Sequence, residues 1–369
     1  MLIDLKLLLN YCTSNPNKLI NDALFYLSIA LITSTLIPFI RHDFWVFRVF
    51  EYPRLQKLVL NIVVIIAIAV FAQPQTTTDY IVLFALIANV SYLIYLILPF
   101  TFFGKKQIIG SSSNPTDNNL KVFIANVYQE NRKAAEYHKL IQKYNPDLIL
   151  MVETDQWWQE QMDSLEKNYP FQLKIPLSNT YGMLLYSRFE LKGGEIKYLV
   201  KPDIPSIETL VKLPSGKFVK LFCLHPEPPV PQENPRSTER DMEILMVTKK
   251  AKGCEQPVIV MGDLNDVAWS YTTELFGKVS GLLDPRRGRG FFNSFNAKYF
   301  FLRFPLDHIF CSQNFALTSI NRLPNCGSDH FPMFVDLQYN PKAEAKNDVP
   351  EATTEDLELA DEKINAELK

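Results

Sequence analysis

Three stretches of this chain contain almost nothing that water would hold in place. Ala23–Ile40 has no charged residue over 18 positions. Leu58–Ala72 is almost wholly aliphatic, and no charge follows until Asp79; Tyr80–Gly104 again carries none. A hydrocarbon layer of about 30 Å takes roughly 20 apolar helical residues. The runs therefore predict three membrane-crossing helices, at about 23–40, 57–76 and 80–103, with Lys57 and Gln73–Thr78 bordering the middle one. Helices of a soluble domain would need a polar face, which these lack. A cleaved leader fits poorly, because Arg41-His42-Asp43-Phe44 offers no small-residue cleavage site. Basic residues bias the orientation. Arg41, Arg48, Arg54, Lys57, Lys105 and Lys106 fall on one side, and only Lys6 and Lys18 on the other. This predicts an integral, multi-pass protein whose chain after residue 106 is cytoplasmic, with the exterior face as the alternative should one span be misjudged. The segment Phe44–Phe50 is expected in the interface, with Arg48 snorkelling.

The averages conceal this division. Across 369 residues the net charge is −2 and 47% are hydrophobic. Residues 1–106 sum to +3, while 107–340 balance at 26 basic and 26 acidic. From Pro341 the chain carries nine acidic and four basic residues, or −5. A balanced unit is not built to coat nucleic acid regardless of sequence. Residues 1–106 thus read as a membrane anchor and 107–119, rich in Ser, Asn and Pro, as a linker. Residues 120–340 read as one unit large enough for a sizeable core. Residues 341–369 are expected to be a solvated, disordered acidic tail, with a loose helix near Glu355–Leu368. The five cysteines (Cys12, Cys223, Cys254, Cys311 and Cys326) include no CxxC pair, which excludes a zinc ribbon and fits a reducing compartment.

Within 120–340, short apolar runs alternate with amphipathic stretches. Val122–Val127, Leu148–Val152, Pro257–Met261, Leu306–Cys311 and Pro332–Leu337 predict buried strands. Glu130–Tyr144 predicts a helix, and Asn234-Pro235 is expected to open another running to about Lys252. Lys192-Gly193-Gly194 and Pro214-Ser215-Gly216 each predict a hairpin turn. The mixture implies an α/β chain with sheets at its centre.

Nearly every one of these strands ends in a residue that can bind metal or phosphate. Asn126, Glu153, His225, Asp263 with Asn265, Asp307, and Asp329 with His330 all stand at strand termini. A hard cation such as Mg²⁺ takes oxygen ligands and keeps several waters. Glu153 and Asp329 can supply such oxygens, with Asn126 completing the shell or orienting a phosphate. His225 and His330 are then available for phosphate contact or proton transfer. Without thiols or zincin spacing the set favours Mg²⁺, or Mn²⁺, over zinc. GDLN, a lone Glu or SDH alone would be a turn or a cap; their order together is what carries weight. His138 fits a surface residue, His308 points away by alternation, and Trp157 and Trp158 fit packing.

In that order NV (126–127), PDLILMVET (146–154), LHP (224–226), GDLN (262–265), LDHIF (306–310) and SDH (328–330) resemble the endonuclease/exonuclease/phosphatase superfamily. That group includes deoxyribonuclease I-like nucleases, abasic-site endonucleases, sphingomyelinases and inositol polyphosphate phosphatases. With its apolar runs the chain looks like a membrane-bound member of the bacterial type. The resemblance covers about residues 120–338 and implies a four-layer α/β/β/α sandwich hydrolysing a phosphodiester by water attack. It implies metal binding at Glu153 with Asn126 and Asp329, and positioning of water and phosphate by Asp263 and Asn265. It further implies phosphate contact at His225, and His330 as the catalytic histidine oriented by Asp307. Some relatives have a carboxylate where Tyr128 stands, which leaves a second metal site unsupported apart from nearby Glu130.

Arg286, Arg287, Arg289, Lys298 and Arg303 interleave with Phe291, Phe292, Phe295, Tyr299, Phe300 and Phe301 just before Asp307. The three arginines Arg286, Arg287 and Arg289 are expected to bind substrate. Cations with aromatics suit single-stranded nucleic acid and anionic lipid headgroups alike. The expected partners are the lipid bilayer and a phosphodiester, with no protein partner implied. The alternative is a catalytically inactive, membrane-tethered phosphate- or nucleic-acid-binding module.

Overall fold

The protein was analysed as a computed structural model, which describes residues 16–72, 74–111 and 116–366. Cys12, Gln73, part of the 107–119 linker and the last three residues lie outside the described residues. The chain divides into two compact units, taken here in turn.

The first unit holds helices α1 (Pro16–Leu36), α2 (Arg54–Phe71) and α3 (Thr77–Ile97). All three are long and apolar enough to cross a membrane. Helix α2 ends at Phe71, five residues before the expected border. Helix α3 starts at a capping box in which Thr76 and Asp79 satisfy each other's backbone N–H groups. Leu31, Val64, Ile68 and Leu86 form the shared apolar seam. Inside it Asn89 Nδ2 donates to Asn61 Oδ1 at 2.9 Å, a polar pair that costs little only because both partners are supplied. Lys57 Nζ donates to the carbonyls of Ser34 and Phe50, each at 2.7 Å. Arg48 does not snorkel as expected: it is buried and pairs with buried Glu51 at 3.3 Å. A charge removed from water needs its counter-ion close by.

The second unit contains two sheets. One has six strands in the order β10-β11-β1-β2-β4-β3: β1 (Asn119–Asn126), β2 (Leu148–Val152), β3 (Phe171–Ile175), β4 (Met183–Ser187), β10 (Phe315–Arg322) and β11 (Met333–Tyr339). The other has five in sequence order, β5 (Leu191–Lys197), β6 (Ser206–Lys212), β7 (Phe218–Leu224), β8 (Val258–Asp263) and β9 (Asp307–Cys311). Period-two alternation explains the layering. Leu120, Val122 and Ile124 of β1 and Leu148, Leu150 and Val152 of β2 meet Leu221, Cys223, Ile259 and Met261 between the sheets. The intervening Phe123, Ala125, Ile149 and Met151 face helices α4 (Ala134–Tyr144) and α5 (Gln156–Met162). On the far side Phe222, Leu224, Val258 and Val260 face α6 (Thr238–Lys252) and α7 (Tyr271–Ser280). Strands buried on both faces must be apolar throughout, as β2 is. The result is the four-layer α/β/β/α sandwich.

Three expectations need correction. The Lys192-Gly193-Gly194 segment makes no hairpin: β4 and β5 belong to different sheets, and the glycines form an irregularity inside β5, with Gly193 at φ 61°. This is where a bulge uses a residue without Cβ. Helix α6 starts after Ser237, not at Asn234-Pro235. The acidic tail, expected to be solvated apart from a loose helix near Glu355–Leu368, has that helix, and it is packed within the described residues. Helix α8 (Thr354–Ile364) opens on a capping box of Thr353 and Asp356 and buries Ala360. It packs on α6 and α7, and Lys363 reaches Asp241 at 2.9 Å. Composition predicted solvation, but an apolar stripe of Ala360, Leu359 and Ile364 found a partner surface.

Candidate active site

The first sheet runs β1 and β2 parallel, with Asn126 level with Val152. The second runs β7 and β8 parallel, with Leu224 level with Gly262. The carboxyl ends of both pairs open at one edge of the sandwich, where α/β folds place their ligands. Asn126, Glu153, His225 and Asp263 arrive there from those ends. Asp307 is the register partner of Asp263 across β8 and β9, and His330 precedes β11, which is antiparallel to β1. Gly262 permits the close approach: a Cβ there would sit 1.9 Å from the Leu224 carbonyl oxygen.

Asn126 holds two acids apart. Its Nδ2 donates to Glu153 Oε1 at 2.6 Å and to Asp263 Oδ2 at 3.0 Å. Asp263 Oδ1 accepts the Asn265 backbone N–H at 2.9 Å. His330 stands between Asp263 and a third carboxylate, with Nδ1 2.8 Å from Asp307 Oδ2 and Nε2 3.5 Å from Asp263 Oδ2. Asn265 Nδ2 donates to the Pro226 carbonyl at 2.9 Å, tying the GDLN turn to the His225 loop. Glu153, Tyr128 and Asn265 adopt φ of 58°, 58° and 50°. Asn tolerates that region, but Glu and Tyr rarely do, and such strain concentrates at functional sites.

The charges interlock. Burial pushes Glu153 up to about 7, opposed by the Asn126 hydrogen bond. Burial likewise raises Asp263. For His330, burial would lower the imidazole, but Asp307 and Asp263 override it and carry it up to about 10. His225 has no such pair, and burial lowers it to about 4; its Nδ1 is buried without a protein partner. One histidine is thus held cationic and the other neutral.

Asp263, Asp307 and His330 offer ligand atoms within 4.8 Å of one another and could hold a metal ion. An imidazolium cannot ligate, so His330 serves that trio as a cation in its own right. Glu153 is the other candidate for holding a cation: burial drives its carboxylate towards neutrality against the pull of Asn126 and His330, a drive that a bound cation would reverse.

The three arginines expected to bind substrate each have a partner within the fold. Arg286 is buried, with Nε and Nη2 donating to Asp284 at 2.9 and 2.8 Å and Nη2 bonding His308 Nδ1 at 2.7 Å. Arg287 pairs with Glu274 at 2.6 Å, and Arg289 donates to the Ile108 carbonyl. His308 points away from the site as alternation required, and Trp158 is fully buried.

Several supporting residues, Ser328 of the SDH motif aside, gave no sequence signal. Buried Arg240 donates through Nη1 to the Asn265 carbonyl at 2.8 Å and pairs with Asp241. Ser294 Oγ accepts the Asp307 N–H at 3.0 Å, and Ser328 Oγ accepts the His330 N–H at 2.9 Å. Tyr181 packs its ring 5.5 Å from that of His225 and donates to Glu233 at 2.6 Å.

The sequence profile of the Endonuclease/Exonuclease/phosphatase family matches residues 123–330, more than half of the chain. The chain belongs to this family. Solved structures share its fold at low identity. A humanized D. rerio TDP2 carrying 14 mutations is 16% identical, with a TM-score of 0.50 over 60% of this chain and 99% of that one. A D. rerio TDP2 complexed with single strand DNA product is 17% identical, with the same TM-score and coverage. The human Nocturnin catalytic domain with bound sulfate anion is 16% identical, TM-score 0.50, over 66% of this chain and 99% of that one. No curated protein matches the chain. The endonuclease/exonuclease/phosphatase unit is therefore the part carrying the site.

Proposed function

We propose that this family member is a membrane-anchored, divalent-metal-dependent phosphoesterase that hydrolyses a phosphodiester by attack of water. The observation supporting it is the Asp307–His330–Asp263 chain facing the Asn126–Glu153 pair at one sandwich edge. Asp263, steadied by Asn126 and the Asn265 N–H, orients the attacking water and takes its proton. His330, kept as imidazolium by Asp307, offsets the charge that grows on phosphorus oxygens. Neutral His225 can hydrogen-bond a non-bridging oxygen without adding charge. Asn265 holds the His225 loop against the catalytic turn. Glu153, with the Asp329 charge acting on it, would seat Mg²⁺ or Mn²⁺ through carboxylate oxygens, while Asn126 Nδ2 steadies the Glu153 carboxylate. The ion, when bound, supplies Lewis-acid stabilisation of the phosphate and leaving oxygen.

The three apolar helices support a multi-pass anchor, and the basic residues flanking them support a cytoplasmic catalytic unit. The test is direct. Detergent-purified protein with Mg²⁺ is offered linear DNA, single-stranded RNA, phospholipid vesicles and a chromogenic phosphodiester. Chelator-sensitive cleavage of any one is expected. Cleavage of none would leave a phosphate-binding module.

A further inference from the structure

Phe295 and Phe304 pair across a short hairpin beside the site. Phe295 N–H donates to the Phe304 carbonyl at 2.9 Å, and Asn296 N–H to the Leu302 carbonyl at 3.1 Å. The root of this hairpin belongs to the active site. The Phe295 ring lies 5.0 Å from the His330 ring, and Ala297 N–H donates to the Asp329 carbonyl at 2.7 Å. Lys298 Nζ stands 4.7 Å from the centroid of the Tyr128 ring, at the rim.

The tip faces solvent. Tyr299, Phe300, Phe301 and Leu302 are 54, 77, 56 and 43% exposed. Four consecutive large apolar residues in water mark an interaction surface. The charge around them has one sign: from Pro285 to Leu306 the chain has five basic residues and no acidic one. Three of those five are committed to structural partners, leaving Lys298 and Arg303 flanking the tip, with Arg303 and Arg322 stacked on Phe331.

We propose that this hairpin docks on a phospholipid surface and that the phosphodiester taken by the site is that of a phospholipid headgroup. The proposal rests on the phosphoesterase reading above. An apolar tip with cations at its base matches a bilayer, where rings enter the acyl boundary and Lys and Arg stay at the phosphates. Three helices long and apolar enough to cross a membrane would keep a bilayer within reach. Single-stranded nucleic acid fits less well. Phe300 and Phe301 stack edge-on at 89° instead of presenting parallel platforms, and Leu302 offers no π face. The 107–340 region is also uncharged overall. Hydrolysis adds the hydroxyl of water to phosphorus and its other proton to the departing alcohol oxygen, leaving a phosphomonoester and an alcohol.

The full chain is reconstituted in phospholipid nanodiscs with Mg²⁺. Headgroup hydrolysis, a soluble chromogenic phosphodiester and a single-stranded DNA oligonucleotide are compared between wild type and a Tyr299→Ser/Phe300→Ser/Phe301→Ser variant. Headgroup hydrolysis is expected to fall roughly tenfold or more while the soluble substrate is unaffected. Brominated lipids should quench a Phe300→Trp reporter beyond the wild-type tryptophans. Unchanged headgroup hydrolysis, equal losses on both substrates, a loss confined to DNA, or an unquenched reporter would each overturn the proposal. A wild type inert on every phosphodiester would sink the phosphoesterase reading instead, and the reporter would still decide docking.

Discussion

Replacing Arg286 by alanine should unfold the catalytic unit more readily without weakening substrate binding. The guanidinium is the only cation bonded to the buried Asp284 carboxylate among the described residues, reaching both of its oxygens. Burial alone would raise Asp284, yet Arg286 overrides it and holds the carboxyl below its usual range. Arg286 also fixes a tautomer. A guanidinium only donates, so His308 Nδ1 must accept, and Nε2–H must donate to the Asp266 carbonyl at 2.8 Å. Burial first, then Arg286, lowers His308 to about 3. Removing one partner of a buried pair costs about 3–5 kcal/mol, because the other charge is left uncompensated. That is a large fraction of the stability of a typical domain, about 5–15 kcal/mol. Arg286→Lys should recover only part, since an ammonium cannot reproduce the fork. The pH dependence has a definite sign. Asp284, depressed in the fold, stabilises above its unfolded pKa, and this is lost as pH falls through the depressed value. His308, neutral in the fold and protonated when unfolded below 6.5, costs stability as pH falls from 6.5 to about 3, by at most about 1.4 kcal/mol per pH unit. In Arg286→Ala the Asp284 carboxyl rises and His308 is freer to protonate, so the deficit is greatest near neutral pH and narrows in acid. Urea unfolding at several pH values, followed by tryptophan fluorescence, measures it. Wild-type stability with a raised KM would refute this reasoning and restore Arg286 as a substrate contact.

Four further outcomes are expected. Glu153→Gln should abolish most turnover with the fold intact; in wild type Mg²⁺ should raise the thermal midpoint, and in this variant it should not. Because Glu153 is raised from 4.5 to about 7, metal-free wild type should lose stability as pH climbs through that window, the unfolded carboxyl ionising first; thermal melts in chelator read this. Asp307→Asn should lower the His330 pKa from about 10, moving the alkaline limb of the pH–rate profile towards neutrality. Lys363→Ala removes the bridge from α8 to Asp241, which in turn binds Arg240; kcat should fall while KM holds if the tail steadies the GDLN turn through Arg240, and unchanged kcat would show that the bridge only fastens the tail.

How much of this was legible depends on whether a residue's partner was local. Asn126, Glu153, His225 and Asp263 could be read because each closes or follows an apolar strand, and parallel pairing brings those ends together. Asp307 opens, and His330 precedes, a strand that runs antiparallel to β8 and β1 respectively, which brings their starts to the same edge. The three apolar helices could be read because a run without charge has one comfortable environment. Arg286 could not, since its meaning rests on Asp284 two residues away together with His308 from an adjacent strand. Arg240 sits in a helix with many charges, and nothing in its neighbourhood distinguishes the buried one. The Gly193–Gly194 segment has the composition of a turn and the position of a bulge, and only the pairing of β5 with β6 separates them.

The tail carries the sharper lesson about charge. Nine acids and four bases over 29 residues describe a segment that should stay solvated, and its average is correct. Helix formation needs only one face, however. The Thr353–Asp356 box satisfies its first N–H groups, Asp356 meets Lys278 at 3.2 Å, and Lys363 meets Asp241. Two ion pairs at the edge of an apolar contact add little separately. Here they fix the register in which Leu359, Ala360 and Ile364 cover the outer face of α6 and α7. The same distinction governs the arginines: net charge tells how a surface meets its solvent, whereas the bonding of each guanidinium tells whether it meets solvent at all. On that criterion Arg286 is committed inside the fold by Asp284 and His308, while the Lys298–Arg303 segment carries four exposed apolar side chains between its cations.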